Sequence, residues 1–457
     1  MAKHALGVFK NVGVSAEYSA QNTSHPLETL INRALGSVIA AHPILTAIPI
    51  DEDTPSPYYV RIPYLDLRQC VTFVSSKSDV ESNNSSNNIE LDALLEREHN
   101  TDFKARSGEL PFWRVVVLYS PSTFTVAFIF HHAISDGTSG LAFHRHLLSA
   151  LQDVLLAPEP LENDASDLIH IIRAPESPLL PSLESVHELP FSREHLLRVS
   201  NKEKLPGAPT NTWAGSQCSD SPDLSTSRFQ SFTMSPTTTQ KLVTASRKNS
   251  TTITGLIDAI IAAALFANLP KEYDSLRSDG AISFRRHLPH HIVDENSLGT
   301  WTSRYVVNHV RAADGDSVSP DDAPDLALWD EARRIRKIIQ SVLEKDGADS
   351  SVGLLRYVKD YSAMNKKRLG KPRAESFESS NIGVFKQNGR TEVCRVGRMV
   401  FSQSADIVGA AFEASIVTGG DGSMTIGISW LDGPIDSQWM IQLIGSLRAS
   451  LERLAIL

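Results

Sequence analysis

The segment Phe130-His131-His132-Ala133-Ile134-Ser135-Asp136-Gly137 concentrates more chemistry than any other stretch of this 457-residue chain. An imidazole titrates near neutrality, so a histidine at the end of a rigid element is a natural general base. Asp136-Gly137 is a turn pair, with a glycine free to adopt positive φ and a carboxylate able to bond local backbone or a distant arginine. If the preceding strand runs to His132, adjacent side chains leave opposite faces of the sheet, so His131 and His132 do not serve one small site together. Three readings stand side by side. The histidines form a structural pair closing a strand; one of them is a lone base; or His131, His132 and Asp136 join His144 or His146 around a metal. Against the metal stand the opposite-face argument and the lack of a carboxylate or Cys partner at helical i,i+4 spacing.

The elements that must position this segment follow from periodicity. Val115 to Tyr119 and Phe124 to His131 read as two strands separated by the turn-forming Ser120-Pro121-Ser122. After Gly137, Leu141, Phe143, Leu147, Leu148 and Leu151 share a helix face, giving a unit of strand, sharp turn and helix. Upstream, apolar residues from Leu27 to Val38 predict a helix that stops at His42-Pro43. Extended runs follow at 58–62 and 71–75, then an Asn/Ser-rich loop at 82–88 and a short helix at 91–98. From Pro158 to Pro222 the chain gathers nine of its 24 prolines with weak periodicity, which reads as a long crossover between two halves. The second half restarts at Phe229 to Met234. It continues with a buried helix from Thr254 to Asn268, a strand at Ala281 to Phe284 and an amphipathic helix through Leu328 to Val342. Strands at 399–401, 411–417 and 424–430 precede a last helix through Met440 to Leu454. The predicted division is 1–157, a crossover at 158–225, and 226–457. Each half mixes a sheet with flanking helices and lacks regular βαβ alternation, which places the fold in the α+β class.

Composition bounds the function. With 44 Lys+Arg against 53 Asp+Glu the formal charge is −9, so the chain as a whole carries no electrostatic footprint for nucleic acid or an anionic membrane. Hydrophobic residues at 41% and charged residues at 21% describe an ordinary globular protein with a sizeable core. The three cysteines, Cys70, Cys218 and Cys394, form no Cys-x-x-Cys pair and suit neither a disulfide framework nor a Cys-based zinc site. Met1 to Lys10 carries no apolar run of signal-peptide length, and Asp258 and Asn268 interrupt the longest apolar stretch. The expectation is a soluble, cytoplasmic protein without a transmembrane segment.

His131 through Gly137 matches H-H-x-x-x-D-G, the signature of BAHD-type acyltransferases, nonribosomal-peptide condensation domains and fungal alcohol O-acetyltransferases, all relatives of chloramphenicol acetyltransferase. Ala41-His42-Pro43-Ile44-Leu45 resembles the "rHPiL" segment of those families, and Leu110-Pro111-Phe112-Trp113-Arg114 resembles their "lPlwR" segment. Ser380-Asn381-Ile382-Gly383-Val384-Phe385 resembles the "SNlGvf" segment of the alcohol acetyltransferase branch. Order and spacing hold from about His4 to Leu454. No D-F-G-W-G of the plant enzymes appears in the last hundred residues, which favours the fungal branch.

The resemblance implies a mixed αβ sandwich of two chloramphenicol-acetyltransferase-like subdomains with an active-site tunnel at their interface. It implies an acyl-CoA-dependent O-acyltransferase, in the first place an acetyl-CoA enzyme acting on a hydroxyl of an apolar small molecule or secondary metabolite. His132 would be the general base and His131 its structural neighbour. Asp136 would pair with an arginine of the second half, Arg285 first among the candidates. Gly137 would keep the backbone close to substrate and offer an amide to the developing oxyanion. The phosphates of coenzyme A call for a local basic cluster, which Lys366, Lys367 and Arg368 supply, with Lys371 and Arg373 beside them. Ser380, Asn381, Ser402 and Ser404 would contact the pantetheine or line the tunnel. The partner is an acceptor alcohol or amine; no metal, no nucleic acid and a monomer are expected. Two alternatives remain: condensation-like amide formation, and a tunnel recruited to bind or cyclise a metabolite without acyl transfer.

Overall fold

The computed structural model describes residues 1–20, 26–77, 89–157, 170–201, 211–311, 323–387 and 390–456; the Asn/Ser-rich stretch 82–88 lies outside them. Among these residues two sheets carry the architecture. The first has five strands in the order Cys394–Gln403, Val12–Ala20, Phe124–Phe130, Trp113–Tyr119 and Val71–Ser75. The second runs Ser227–Met234, Met424–Leu431, Phe412–Thr418, Phe377–Val384, Ser275–Ser283 and Thr302–Val310, with Thr212–Trp213 added beside Ser275–Ser283.

The first sheet buries an apolar face under helices Leu27–Ala41 and Gly137–Leu156, where Leu30, Leu35, Phe128, Phe130, Phe143 and Leu147 form one cluster. The second packs Phe377, Phe412, Ala414, Ile416, Ile426, Ile428 and Trp430 against helices Ile253–Asn268 and Ser437–Leu454. Because side chains alternate along a strand, the residues between them face the other way: Glu378, Ser380, Glu413, Ser415 and Ser429. That polar face bears on the site.

Helix starts are locally encoded. Ser235 accepts from the Thr238 amide at 3.1 Å, Thr252 from Gly255 at 3.1 Å and Asp436 from Trp439 at 2.8 Å, each satisfying an orphan donor of a first turn. Helix Ile89–His99 joins the two sheets. Its Leu91, Leu94 and Leu95 pack on Val116, Leu118 and Phe229, and its Asp92 accepts from the Ser231 amide and hydroxyl at 2.9 and 2.6 Å.

One strand ties the ends of the chain together. Cys394–Gln403, from the last sixty-odd residues, pairs antiparallel with Val12–Ala20 in the first sheet, Val12 opposite Gln403 and Val14 opposite Phe401. A division of the chain at 157 and 226 therefore carries one amendment, since this strand of the third segment completes the first sheet. The Phe124–Phe130 strand also ends one residue short of His131, so the two histidines sit in the turn that follows it rather than at alternating strand positions.

Three buried histidines make the fold acid-sensitive. His144 donates Nε2–H to the Val14 carbonyl at 2.9 Å and accepts from the Tyr18 hydroxyl at Nδ1. His99 bonds the Asn11 side-chain oxygen at 2.6 Å, and His42 shares a 2.8 Å bond with His146. Burial lowers their pKa values to about 4 for His144 and about 3 for His99 and His42, the neighbouring Arg114 adding to the effect at His99 and His146 at His42. Folded values below the unfolded value near 6.5 mean that the unfolded chain takes up protons first. The stability is full above pH 6.5 and is lost progressively as pH falls toward 4. At about 1.4 kcal/mol per unit for each group, the urea midpoint should drop clearly between pH 7 and pH 5. An unchanged midpoint would contradict the neutral burial of these rings.

Candidate active site

Helix Gly137–Leu156 begins at the motif turn, and Asp136 is its N-cap. The carboxylate accepts from the Ser139 amide at 2.9 Å, and Ser139 reaches back to the Asp136 amide, closing a capping box. The same carboxylate bonds Arg285 Nη1 at 2.8 Å and accepts from the Trp301 amide at 3.2 Å. Arg285 also donates to Ser139 Oγ and the Ser297 carbonyl, and its guanidinium lies 4.9 Å from the centre of the Trp301 ring. Both members of the pair are buried. Burial would raise the Asp136 pKa, but the Arg285 charge and the converging hydrogen bonds outweigh it and hold the group below the usual carboxylate range.

The two histidines have different surroundings. His131 is 2% exposed among His4, Phe9 and Phe112. Its Nδ1 accepts from the Ala133 amide at 2.9 Å. His132 lines a cavity of ≈ 70 Å³ together with Gly137, Thr302, Glu378, Ser380 and Gln403. Thr300 Oγ1 donates to the His132 carbonyl at 3.0 Å and the Tyr59 hydroxyl to the Ala133 carbonyl at 2.6 Å, so the turn is clamped from both sides. Burial lowers the His132 pKa below the ordinary imidazole range, with the Asp136 carboxylate opposing in part. The ring is therefore neutral at physiological pH and has a lone pair to offer.

Gly137 lines the same cavity with its backbone close against two apolar side chains. A Cβ there would stand 2.5 Å from Ile382 Cγ2 and 3.1 Å from Phe401 Cζ. Gly137→Ala should therefore lower both activity and melting temperature, by about 1–3 kcal/mol in stability. Adding Ile382→Ala should recover part of the loss, and a Gly137→Ala variant with wild-type melting and activity would refute this contact.

The other motif segments meet the same turn. Trp113 Nε1 donates to the Leu45 carbonyl at 2.8 Å, joining the Leu110–Arg114 segment to the His42–Leu45 segment. Arg114 bonds Glu98 at 2.6 Å and serves as scaffold. Ser380 and Asn381 line the cavity. Ser402 and Ser404 do not: Ser402 is fully buried with its hydroxyl 3.3 Å from the Gly13 carbonyl, and Ser404 Oγ accepts from the Lys10 and Asn11 amides. Strand alternation turns Gln403, not Ser402, toward His132. Lys366 and Lys367 are exposed at the C-terminal end of helix Tyr361–Lys366, Arg368 stands 3.8 Å from Glu375, and Arg373 donates to the carbonyls of Asp406, Gly409 and Ala410. None of these borders the His132 cavity. Instead, a wider opening of ≈ 690 Å³ shares Thr138, Ser283, Asn381 and Ile382 with that cavity and carries Arg286, His290 and Lys386 on its wall. These basic residues are scattered over a hundred positions and have no sequence signature. Ser139, three residues after Asp136, did have one in its capping-box spacing.

A sequence model described as alcohol acetyltransferase matches residues 80–449. The chain belongs to the alcohol acetyltransferase family. Among curated relatives of this acyltransferase, the probable alcohol acetyltransferase crmB of Aspergillus fumigatus is 35% identical over 96% of this chain and 94% of its own. The probable alcohol acetyltransferase FCK4 of Fusarium pseudograminearum is 24% identical over 99% and 91%. Among solved structures, the TRI3 trichothecene 15-O-acetyltransferase of Fusarium sporotrichioides superposes with a TM-score of 0.70 at 15% identity, covering 98% of this chain and 92% of that one. The first condensation domain of the CDA synthetase gives 0.62 at 12%, covering 99% and 93%. The fold is thus the two-lobed mixed αβ architecture of chloramphenicol acetyltransferase and the condensation domains. Among the described residues of this family member no single helix is long and apolar enough to cross a membrane.

Proposed function

We propose that the enzyme transfers an acyl group, in the first place acetyl, from its coenzyme A thioester to a hydroxyl of a small acceptor, at a tunnel between lobe 1–157, completed by strand Cys394–Gln403, and the remainder of 226–457. The observation that carries this is an imidazole and the start of a twenty-residue helix meeting on one cavity wall, His132 and Gly137. His132 takes the hydroxyl proton as the oxygen attacks the thioester carbonyl, so a C–O bond forms while the C–S bond breaks. The Gly137 amide, at the positive end of helix Gly137–Leu156, faces the negative charge that develops on the carbonyl oxygen. The imidazolium then returns its proton to the departing sulfur, and no acyl-enzyme is required. Cys70 and Cys394 fit no such role, since burial pushes both thiols up to about 12.

The wider opening suits the donor. Arg286, His290 and Lys386 are exposed on its wall, and charge of that kind next to the reacting centre is what coenzyme A phosphates require. Lys366, Lys367 and Arg368 stay a second, more distant choice for the adenosine end. Purified protein incubated with acetyl-CoA and a panel of alcohols should release free thiol in step with ester. Thiol release only in the presence of amines would move the reading to amide formation, and none with any acceptor would overturn acyl transfer.

A further inference from the structure

The cavity that His132 lines also carries a carboxylate that the acyl-transfer chemistry does not use. Glu378 lies on strand Phe377–Val384, in register with Asp279 on one neighbour and Glu413 on the other, so three carboxylates form one row across the polar face of the second sheet. Cations answer some of the acidic groups here. Arg304 bonds Asp279 at 2.8 Å, and Lys3 bonds Asp406, whose amide donates to Glu413, at 2.5 Å. Glu378 makes no direct ion pair or hydrogen bond with any described residue, although the charges of Lys3 and Arg304 act on it from further off, and it lines the cavity. Beside it Gln403 is 5% exposed, lines the same cavity, and its Nε2 finds no partner among the described residues. A buried amide nitrogen and an accessible carboxylate left unmet on one wall are groups that a ligand satisfies.

We infer that the acceptor carries a basic nitrogen besides the hydroxyl that is acylated, and that Glu378 holds this nitrogen as an ammonium ion while Gln403 donates to an oxygen of the same molecule. Without ligand, burial and the neighbouring Asp279 carboxylate push the Glu378 pKa up from the usual carboxylate range and favour a proton where the cation would sit. An incoming ammonium replaces that proton and places the charge against the row. Glu378 is thus a specificity residue, and the acceptor class is an amino alcohol rather than a plain alkanol.

The inference rests on the acyl-transfer reading, but binding tests it separately. Wild-type protein is titrated, without acyl donor, with ω-amino alcohols and with n-alkanols of matched length, by calorimetry. At the best-fitting length the amino alcohol should bind at least about tenfold more tightly, and Glu378→Gln, checked by its melting curve, should erase that ratio. With acetyl-CoA added, the same preference should appear in KM, with the acyl group found on oxygen. Equal binding of the two series by the wild type, or a ratio that survives Glu378→Gln, would overturn the inference. A preserved binding preference with no thiol release would sink acyl transfer and leave the amine site standing.

Discussion

Replacing His132 with alanine should lower kcat/KM for ester formation by about 10²–10⁴-fold, the usual span for losing a general base. The ring lies on the cavity wall rather than in the packed core, so the melting temperature should barely move, and that separates a catalytic from a structural role. His131 is the contrast: its ring is buried among His4, Phe9 and Phe112, and truncating it should reduce stability first. Because burial lowers the His132 pKa, the acidic limb of the wild-type kcat/KM profile should fall below pH 6.5. Thiol release followed from pH 5 to 8 measures both effects. An alanine variant within about twofold of wild type would end the general-base mechanism.

Asp136→Ala should cost about 3–5 kcal/mol, because it strands the buried Arg285 guanidinium. Loss of the N-cap of helix Gly137–Leu156 adds about 1 kcal/mol. Arg285 meets Ser139, Ser297 and Trp301 besides Asp136, so the defect should spread across the contact between the motif turn and the 285–301 loop. Urea unfolding should show a lower midpoint, and activity should fall with it. A soluble variant that melts like wild type yet lacks activity would contradict a structural role and put Asp136 in the chemistry itself. Arg285→Ala should resemble Asp136→Ala in stability, and the double variant should cost less than the sum, because the two changes remove one interaction.

Most helices were legible because their stripes of Leu, Ile and Ala are long and strongly periodic: Leu27–Ala41, Ile253–Asn268 and Ser437–Leu454 all show them. Strands fared worse where one face is polar. Val12–Ala20, Val-Gly-Val-Ser-Ala-Glu-Tyr-Ser-Ala, has no dense apolar run, and Phe377–Val384, Phe-Glu-Ser-Ser-Asn-Ile-Gly-Val, reads as a motif before it reads as a strand. Both owe their state to neighbours on either side in a sheet, which is tertiary context overriding propensity. Met399 to Phe401 was recognisable as extended, but nothing local says that Cys394–Gln403 crosses to pair with Val12–Ala20. That pairing turns Gln403 and Phe401 to the cavity and sends Ser402 to the opposite face.

By itself the sequence determined the family, the order of the main helices and the segment in which the chemistry sits, because those are carried by contiguous residues whose types are constrained together. The tertiary structure decided which side chains face His132. Glu378, Gln403 and Thr302 come from three segments more than a hundred residues along the chain from His132. Their meeting depends on strand register, where a shift of one residue reverses every side chain, and no local pattern in the sequence encodes that.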